Sequence, residues 1–376
     1  MTPQPLRWNH QPARAALAQA GPADEWDRLN RQRGHLPFMD AQAISMALKH
    51  FGQGDELLST ACCPAGQVRA MVVLNRAGRG RWASFQPSQL PLGAWVAEAQ
   101  LGVAQLSRSL ARHPPGRLCL AVSLTQIDPR LAPREPDTGS SQASDYIATG
   151  WIDVAGDFET YWAARGKNLR QNLRKQRNKL AADGVQTQMQ VLRDPTDMRA
   201  VLERYGALEG TGWKSEQGTA IHPDNAQGRF YLDLFEAAAS RGEALVFEYR
   251  FDQRTVAMNL CLLRAGELIV LKTAYDESIR TLSPAFLLRE EELQQFFAPD
   301  SGVQRIEYYG KLMDWHTKLT GNQRTLYHHT RYRWPWLMRL VEARRQRQVS
   351  ATQAQAEEPV QSTQSHESSI NSTSSS

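Results

Sequence analysis

Between residues 245 and 297 the spacing of apolar and polar positions changes from strand-like to helix-like. Residues 245–252 carry Val246, Phe247, Tyr249 and Phe251, and after Asp252-Gln253-Arg254 a second β-rich run follows over 255–264, which predicts a hairpin. Ala265-Gly266 turns the chain again into 267–274. There Leu268, Ile269, Val270 and Leu271 form an unbroken apolar run, whereas a strand with one wet face would alternate, so this strand is predicted to be central. Residues 277–284 are polar and irregular. From 285 to 297, Phe286, Leu287, Leu288, Leu293, Phe296 and Phe297 recur near helical spacing, with Pro284 suited to the first turn.

A central strand that runs through a loop into a helix N-terminus aims unpaired backbone N–H groups and the positive end of the helix dipole at one point, which favours an anion such as phosphate. The loop Arg280-Thr-Leu-Ser283-Pro-Ala285 supplies a cation and small residues for close approach. Arg280, Ser283, Ala285 and, from the preceding strand, Lys272 are the candidate cofactor-binding residues.

The same patterning predicts helices over 22–33, 41–51 and 92–112, and strands over 57–63, 68–75, 82–86 and 118–124, a layered α/β arrangement. Residues 128–144, rich in Pro, Ser and Gly, read as an interdomain segment. The expected division is a first domain over 1–130, a linker over 131–144 and a second domain over 145–348, opening with a strand at 146–154. Within the second domain, 157–184 reads as an amphipathic helix, capped by Asp157, broken or kinked at Gly166 and stopped at Asp183-Gly184. Trp162, Leu169, Leu173 and Leu180 share its apolar stripe. Lys167, Arg170, Arg174 and Arg177 form a basic arc with no acidic residue between Glu159 and Asp183 to pair with it, which points to an anion. Further helices are expected over 197–209 and 230–239, strands over 303–309 and 325–332, and a basic helix after Trp334-Pro-Trp336. Residues 349–376, without aromatic, Lys or Arg, bury too little apolar surface to offset their ordering entropy and are expected to be disordered.

A chain of 376 residues, 41% of them hydrophobic, can bury more than one core. The net charge of +5 is a mild excess of 44 basic over 39 acidic residues, so the sign matters where it is concentrated. Four cysteines without a CxxC pair, and no His at ligand spacing, give no reason to expect a metal site or a disulfide framework. His10, His35, His50 and His113 are scattered and read as surface or packing residues. With no apolar run long enough for a membrane span, the expectation is a cytoplasmic protein.

Residues 158–184, Gly212-Trp213-Lys214 with Gly218-Thr219-Ala220, Leu271-Lys272-Thr-Ala-Tyr275-Asp276-Glu, and Ser283-Pro284 together resemble the GNAT-like acyltransferases of bacterial cellulose and exopolysaccharide biosynthesis, themselves related to Fem-type aminoacyl transferases. The likeness is firm over 145–330 and looser before it, where Leu36-Pro37-Phe38 matches a recurring early Pro-Phe. It departs at Ala285, where glycine is common after Ser-Pro, and Ser283 stands where the pyrophosphate loop of the wider GNAT superfamily has its first glycine. The resemblance implies two tandem GNAT-like halves of the α/β (α+β) class, each a mixed, mainly antiparallel sheet flanked by helices. It implies acyl-CoA, such as acetyl-CoA, as co-substrate and direct attack by an amine or hydroxyl, which needs a base, an oxyanion donor and an acid for the thiolate. Asp276 and Glu248 are then candidate bases, and Tyr275 a candidate acid or oxyanion donor. Lys167, Arg170, Arg174, Trp213, Lys214, Lys311, Trp315 and Lys318 are candidate substrate-binding residues, since aromatic platforms suit sugars. The expected partners are a small-molecule or saccharide acceptor and membrane-associated polysaccharide synthesis machinery. The alternative is an aminoacyl-tRNA-dependent transferase or RNA-binding protein, against which stands the lack of aromatics interleaved with the basic arc.

Overall fold

The structure, a computed structural model, describes residues 5–116, 118–210, 221–344 and 347. Its first half comprises β1 (Arg7–Pro12), α1 (Ala13–Leu17), α2 (Ala20–Gln32), α3 (Ala41–Phe51), β2 (Leu57–Cys62), β3 (Val68–Gly78), β4 (Arg81–Ser84), β5 (Trp95–Ala97), α4 (Val103–Arg112) and β6 (Ala121–Ile127). The second comprises β7 (Ser141–Asp153), α5 (Phe158–Ala163), α6 (Lys167–Ala182), β8 (Thr187–Leu192), α7 (Met198–Gly210), α8 (Ala226–Ser240), β9 (Ala244–Phe251), β10 (Arg254–Arg264), β11 (Glu267–Tyr275), α9 (Pro284–Phe296), β12 (Arg305–Glu307), α10 (Asp314–Leu319) and β13 (Gln323–Tyr332). A further helix covers 335–344. The segment 349–376, Trp213 and Lys214, and the Gly218-Thr219-Ala220 stretch lie outside the described residues.

The strands form one path, β1-β2-β3-β4-β6-β13-β7-β12-β11-β10-β9-β8, with β5 added to β3. Pairing is antiparallel except for β4 with β6 and β11 with β12. The last strand, β13, inserts between the halves, pairing β6 on one side and β7 on the other. Strand alternation splits the side chains between two faces. Val246, Leu260, Leu262 and Ile269 join a core shared with α1–α3, α7 and α8, while Phe247, Cys261, Leu268 and Val270 pack under α5, α6, α9 and α10. A third core lies between α4 and β2–β4, β6 and β13.

Because the first of these cores draws on both halves, the halves are packed as one body. Charges reinforce the seam. The guanidinium of Arg324 reaches Asp128 at 2.7 and 2.8 Å and Glu307 at 2.8 Å, and Arg264 joins Asp40 of the first half to Glu243 of the second. Phe38, from the early Pro-Phe pair, meets the Tyr309 ring edge-on at 5.6 Å.

The helix expected over 92–112 is shorter, beginning at Val103. Pro91 and Gly93 interrupt helical continuity, and Trp95-Val96-Ala97 instead pair with β3 as β5. The strand expected from 146 begins already at Ser141, because β13 supplies a partner along that length. The helix expected over 157–184 is two helices meeting at Gly166, with Asp157 accepting a hydrogen bond from the Thr160 N–H at the first start.

Candidate functional site

The site begins where the sheet comes apart. β11 is parallel to β12 through the pairs Glu267↔Arg305, Leu268↔Ile306 and Ile269↔Glu307, and then continues to Tyr275 while β12 stops. On its other edge a bulge at Leu271 shifts the register, so that Val270 opposes Cys261 and Lys272 opposes Leu260. Bulges add twist, and here the twist carries β11 away from β12, opening a wedge. Tyr309, with φ at 47°, turns the other wall away.

One side of this wedge is filled by buried polar and aromatic groups. Arg289 of α9 places its Cζ 3.9 Å from the centre of the Trp315 ring. Trp315 stacks on His316, and Tyr308 meets both edge-on at 5.2 and 4.8 Å. The His316 Nδ1 accepts from the Met313 N–H, and burial with the nearby Arg289 charge lowers its pKa to about 4, so the ring is neutral at pH 7 with its proton on Nε2. Burial likewise pushes the Glu292 carboxyl up to about 7, even though Asn259 Nδ2 donates to both of its oxygens, at 2.7 and 2.8 Å. Thr273 on β11 donates to the Asn259 Oδ1 at 2.6 Å and accepts a long contact from Arg289 Nη2 at 3.4 Å. Arg289 is fully buried and, among the described residues, has no carboxylate within ion-pair distance. Its firm hydrogen bond goes to the Ala285 carbonyl at 3.0 Å.

Next to the wedge, the elbow between α5 and α6, the start of α9 and the end of α10 enclose a cavity of about 530 Å³, lined among others by Arg165, Gly166, Asn172, Ser283, Phe286 and Lys318. Two helix N-termini, those of α6 and α9, converge on it, and neither carries an acidic residue in its first turn. Asn172 Nδ2 donates to Ser283 Oγ at 3.1 Å and ties the helices together. Ser283 sits at φ 56°, ψ 44°, the left-handed conformation that glycine adopts without strain. In the first turn of α9, Pro284 has no N–H, and the Phe286 and Leu287 N–H groups are taken by the Ser283 carbonyl. The Ala285 N–H has no protein partner among the described residues. Lys318 lies over the Phe286 ring at 5.4 Å, and Arg165 is braced by the Tyr161 and Leu319 carbonyls.

The structure therefore brings together Ser283, Ala285, Lys318 and Trp315, with Tyr275 exposed at the end of β11 on the face that also carries Thr273. Lys167 begins α6 beside the cavity and is exposed, and Arg170 is half-buried, with its Nε donating to the Arg165 carbonyl. Arg174 points to solvent further along, while Arg177 is paired with Glu290 and Glu291 of α9, a partner pair invisible to a search within its own helix. Arg280 is exposed in the turn after β11, and Lys311 is exposed after Gly310. Lys272 lies on the opposite face of the sheet, 3.4 Å from Glu209 and over the Tyr231 ring.

The two candidate carboxylates are both heavily engaged. Burial works to raise the Asp276 pKa, but hydrogen bonds from Ser278 and the charge of Arg254 outweigh it and hold the carboxylate below its usual range, where it caps the turn over Glu277–Leu282. Glu248, on β9, is opposed in the same way by burial, yet Arg204, Thr255 and Arg250 keep its pKa lowered. It faces α7, away from the wedge. Arg289, Glu292, Asn259 and Thr273 were not singled out in the sequence. Their signal was the placement of Arg289 and Glu292 at helical spacing among Leu288, Leu293 and Phe296, on the stripe that had to be buried.

Residues 167–317 match the family model described as an acetyltransferase (GNAT) domain. Among solved structures, the chain is similar to the C-terminal domain (DUF2156) of a putative lysylphosphatidylglycerol synthetase from Agrobacterium fabrum, at 14% identity and TM-score 0.51, over 82% of this chain and 92% of that one. It is also similar to FemX, at 8% identity and TM-score 0.52, over 82% and 95% of the two chains. No curated protein matches the sequence. At these identities the structural likeness is one of fold. The family match covers the elements from α6 to α10, so that this part of the second half is similar to a GNAT acetyltransferase domain, and β13 joins it to a first half in the same sheet.

Proposed function

We propose that the protein is an acyl-CoA-dependent N- or O-acyltransferase, whose donor phosphates enter the cavity between α6, α9 and α10 and whose acyl group lies in the wedge between β11 and β12. The observation that carries this reading is the convergence of two uncapped helix N-termini with Lys318 and Arg165 on a cavity of about 530 Å³, bounded by the same α9 and α10 whose Arg289 and Trp315 fill one side of the wedge. From there the pantetheine arm would run along α9 towards Thr273 and Tyr275 on β11. The thioester carbonyl would be attacked directly, with the developing oxyanion near the Tyr275 hydroxyl or the Arg289 guanidinium and the leaving thiolate protonated in the wedge. Asp276, held as a carboxylate by Ser278 and Arg254, shapes the strand-to-helix turn. Its role as a base would require release from those donors.

The acceptor we propose is an amine or hydroxyl of a sugar or polysaccharide precursor, in line with the family the sequence resembles. A second reading has one observation in its favour. Lys167 and Arg174 are exposed along α6, so a longer anionic donor such as an aminoacyl-tRNA could follow that face, in keeping with the fold shared with FemX. Calorimetry separates the two. Acetyl-CoA should bind, and Ser283→Glu, which puts a carboxylate at the phosphate position, should abolish binding while leaving the fold intact. Lys318→Glu, at an exposed side chain, should weaken it about tenfold. Unchanged affinity in both variants would remove the cavity as donor site. A steep salt dependence for tRNA, without any CoA binding, would favour the second reading.

A further inference from the structure

Beyond the end of β13, the chain leaves the sheet into a segment that no core of the described residues covers. Trp334 and Trp336 are 40% and 58% exposed and stack on each other at 5.8 Å, with Arg333 over the Trp334 ring at 4.9 Å. The helix over 335–344 continues with Leu340 and Val341, 42% and 45% exposed, and no residue from 333 to 344 is buried. At about 100° per residue Trp336, Leu340 and Val341 fall within an arc of roughly 140°, wide enough to be a helix's buried stripe, yet it is open to solvent. Arg339 flanks this arc, and Arg344, in the last described turn of the helix, falls within it between Leu340 and Val341. Neither they nor Arg333 make an ion pair among the described residues, and Glu342 is the one acidic residue between 331 and 344.

The surrounding surface has the same character. β4, β6 and β13 are neighbours, and the Leu120 N–H and the Arg333 N–H bond in sequence to Gly80 and Leu120 carbonyls, so the start of β4 and the approach to β6 lie beside the helix. There Leu118 is 47% exposed and Arg79 and Arg81 face solvent, around a cavity of about 590 Å³ that Arg76 and Trp82 also line. On the other flank Arg331 lies close enough to Arg108 and Arg112 for their charges to add to burial in lowering its pKa. Indole rings with exposed aliphatic side chains, ringed by arginines that, Arg76 with Asp55 aside, make no ion pair among the described residues, are the composition of a helix that lies in a bilayer interface.

We propose that this face, Trp334, Trp336, Leu340 and Val341 with Arg333, Arg339 and Arg344, docks the protein on an anionic phospholipid surface. The helix would lie in the membrane plane, its apolar arc at the acyl boundary and its arginines among the lipid phosphates. No described helix is long and apolar enough to cross a membrane, so this contact is peripheral. A nucleic-acid partner is less well served. The indole faces are turned on each other and on Arg333, leaving no open stacking platform, and Leu340 and Val341 would gain nothing from bases or phosphates. The inference does not depend on the nature of the acyl donor.

The test is co-sedimentation of the full chain with vesicles of phosphatidylcholine alone and of phosphatidylcholine with phosphatidylglycerol, followed by tryptophan fluorescence. Binding is expected with the anionic vesicles at low salt, with a blue shift, and about tenfold weaker or absent with the neutral ones. Trp334→Ala/Trp336→Ala should reduce binding about tenfold without altering circular dichroism, and Arg339→Glu/Arg344→Glu should erase the preference for anionic lipid. The proposal is overturned if the wild-type chain does not sediment with anionic vesicles, or if both variants bind as it does. It is equally overturned if the patch proves to be a self-association face, with sedimentation equilibrium showing a dimer lost in the tryptophan variant and no vesicle binding, or if the chain retains RNA but not vesicles.

Discussion

Replacing Glu292 by Gln should stabilise the protein, and by an amount that grows with pH. The carboxyl is buried between α9 and β10, and burial displaces its pKa from 4.5 to about 7. A native state that binds the proton more tightly than the unfolded chain is at its best where both are protonated, below the unfolded value. It loses stability as pH rises towards the folded value. The loss accumulates at about 1.4 kcal/mol per pH unit, which over this interval is about 3 kcal/mol. Glutamine keeps an oxygen for the Asn259 Nδ2 donor and carries no charge, so it escapes this cost. Urea denaturation of both proteins at pH 5, 6, 7 and 8 isolates the effect, because every other titrating group cancels in the difference. The variant's advantage should rise by about 2.5 kcal/mol across the series and level off above pH 7. A difference constant from pH 5 to pH 8 would refute the reasoning and mean that Glu292 is ionised throughout, with Arg289 as its effective counter-charge.

Tyr275→Phe should lower kcat about tenfold or more while leaving the KM for the donor unchanged, since the hydroxyl at the end of β11 is exposed and its loss disturbs no packing. Steady-state kinetics with an identified acceptor would show this, and unchanged kcat would place the proton donor elsewhere. Arg264→Ala should cost about 3 kcal/mol in urea unfolding, because it strands Asp40 and Glu243, 15% and 16% exposed, at the seam between the halves. A loss below about 1 kcal/mol would mean that Arg241 alone neutralises both.

The elements around the site were legible where local chemistry and tertiary environment agree. The apolar run Leu268-Ile269-Val270-Leu271 announced a central strand, and β11 is flanked on both sides. Pro284 marked the first turn of α9, and Gly166 the break between α5 and α6. The edge strands β1 and β8 escaped notice because β1 carries polar residues such as Asn9 and His10, and in β8 the alternation of Gln188 and Gln190 with Met189 and Val191 spans only four residues. At the candidate site, Ser283 and Ala285 are readable from the strand-to-helix pattern, and Lys318 is expected there only as a substrate-binding residue. The cluster of Asn259, Thr273, Arg289 and Glu292 could not, since its members come from β10, β11 and α9, and their meeting depends on the bulge at Leu271. The same non-local logic hid the Glu290 and Glu291 partners of Arg177, and the seam of Asp40, Asp128, Arg264 and Arg324.

Hydrogen exchange of the full chain with and without acetyl-CoA tests the proposed donor site most directly, because it reports where the ligand touches whatever the acceptor proves to be. The amides at the starts of α6 and α9, around Lys167 to Arg170 and Ala285 to Leu287, should become protected together with those of β11 beyond Ile269. The outer strands β1 and β2 of the first half should not change. Protection confined to the first half, or none at the α9 start at saturating acetyl-CoA, would contradict the assignment of this cavity and wedge as the acyl-donor site.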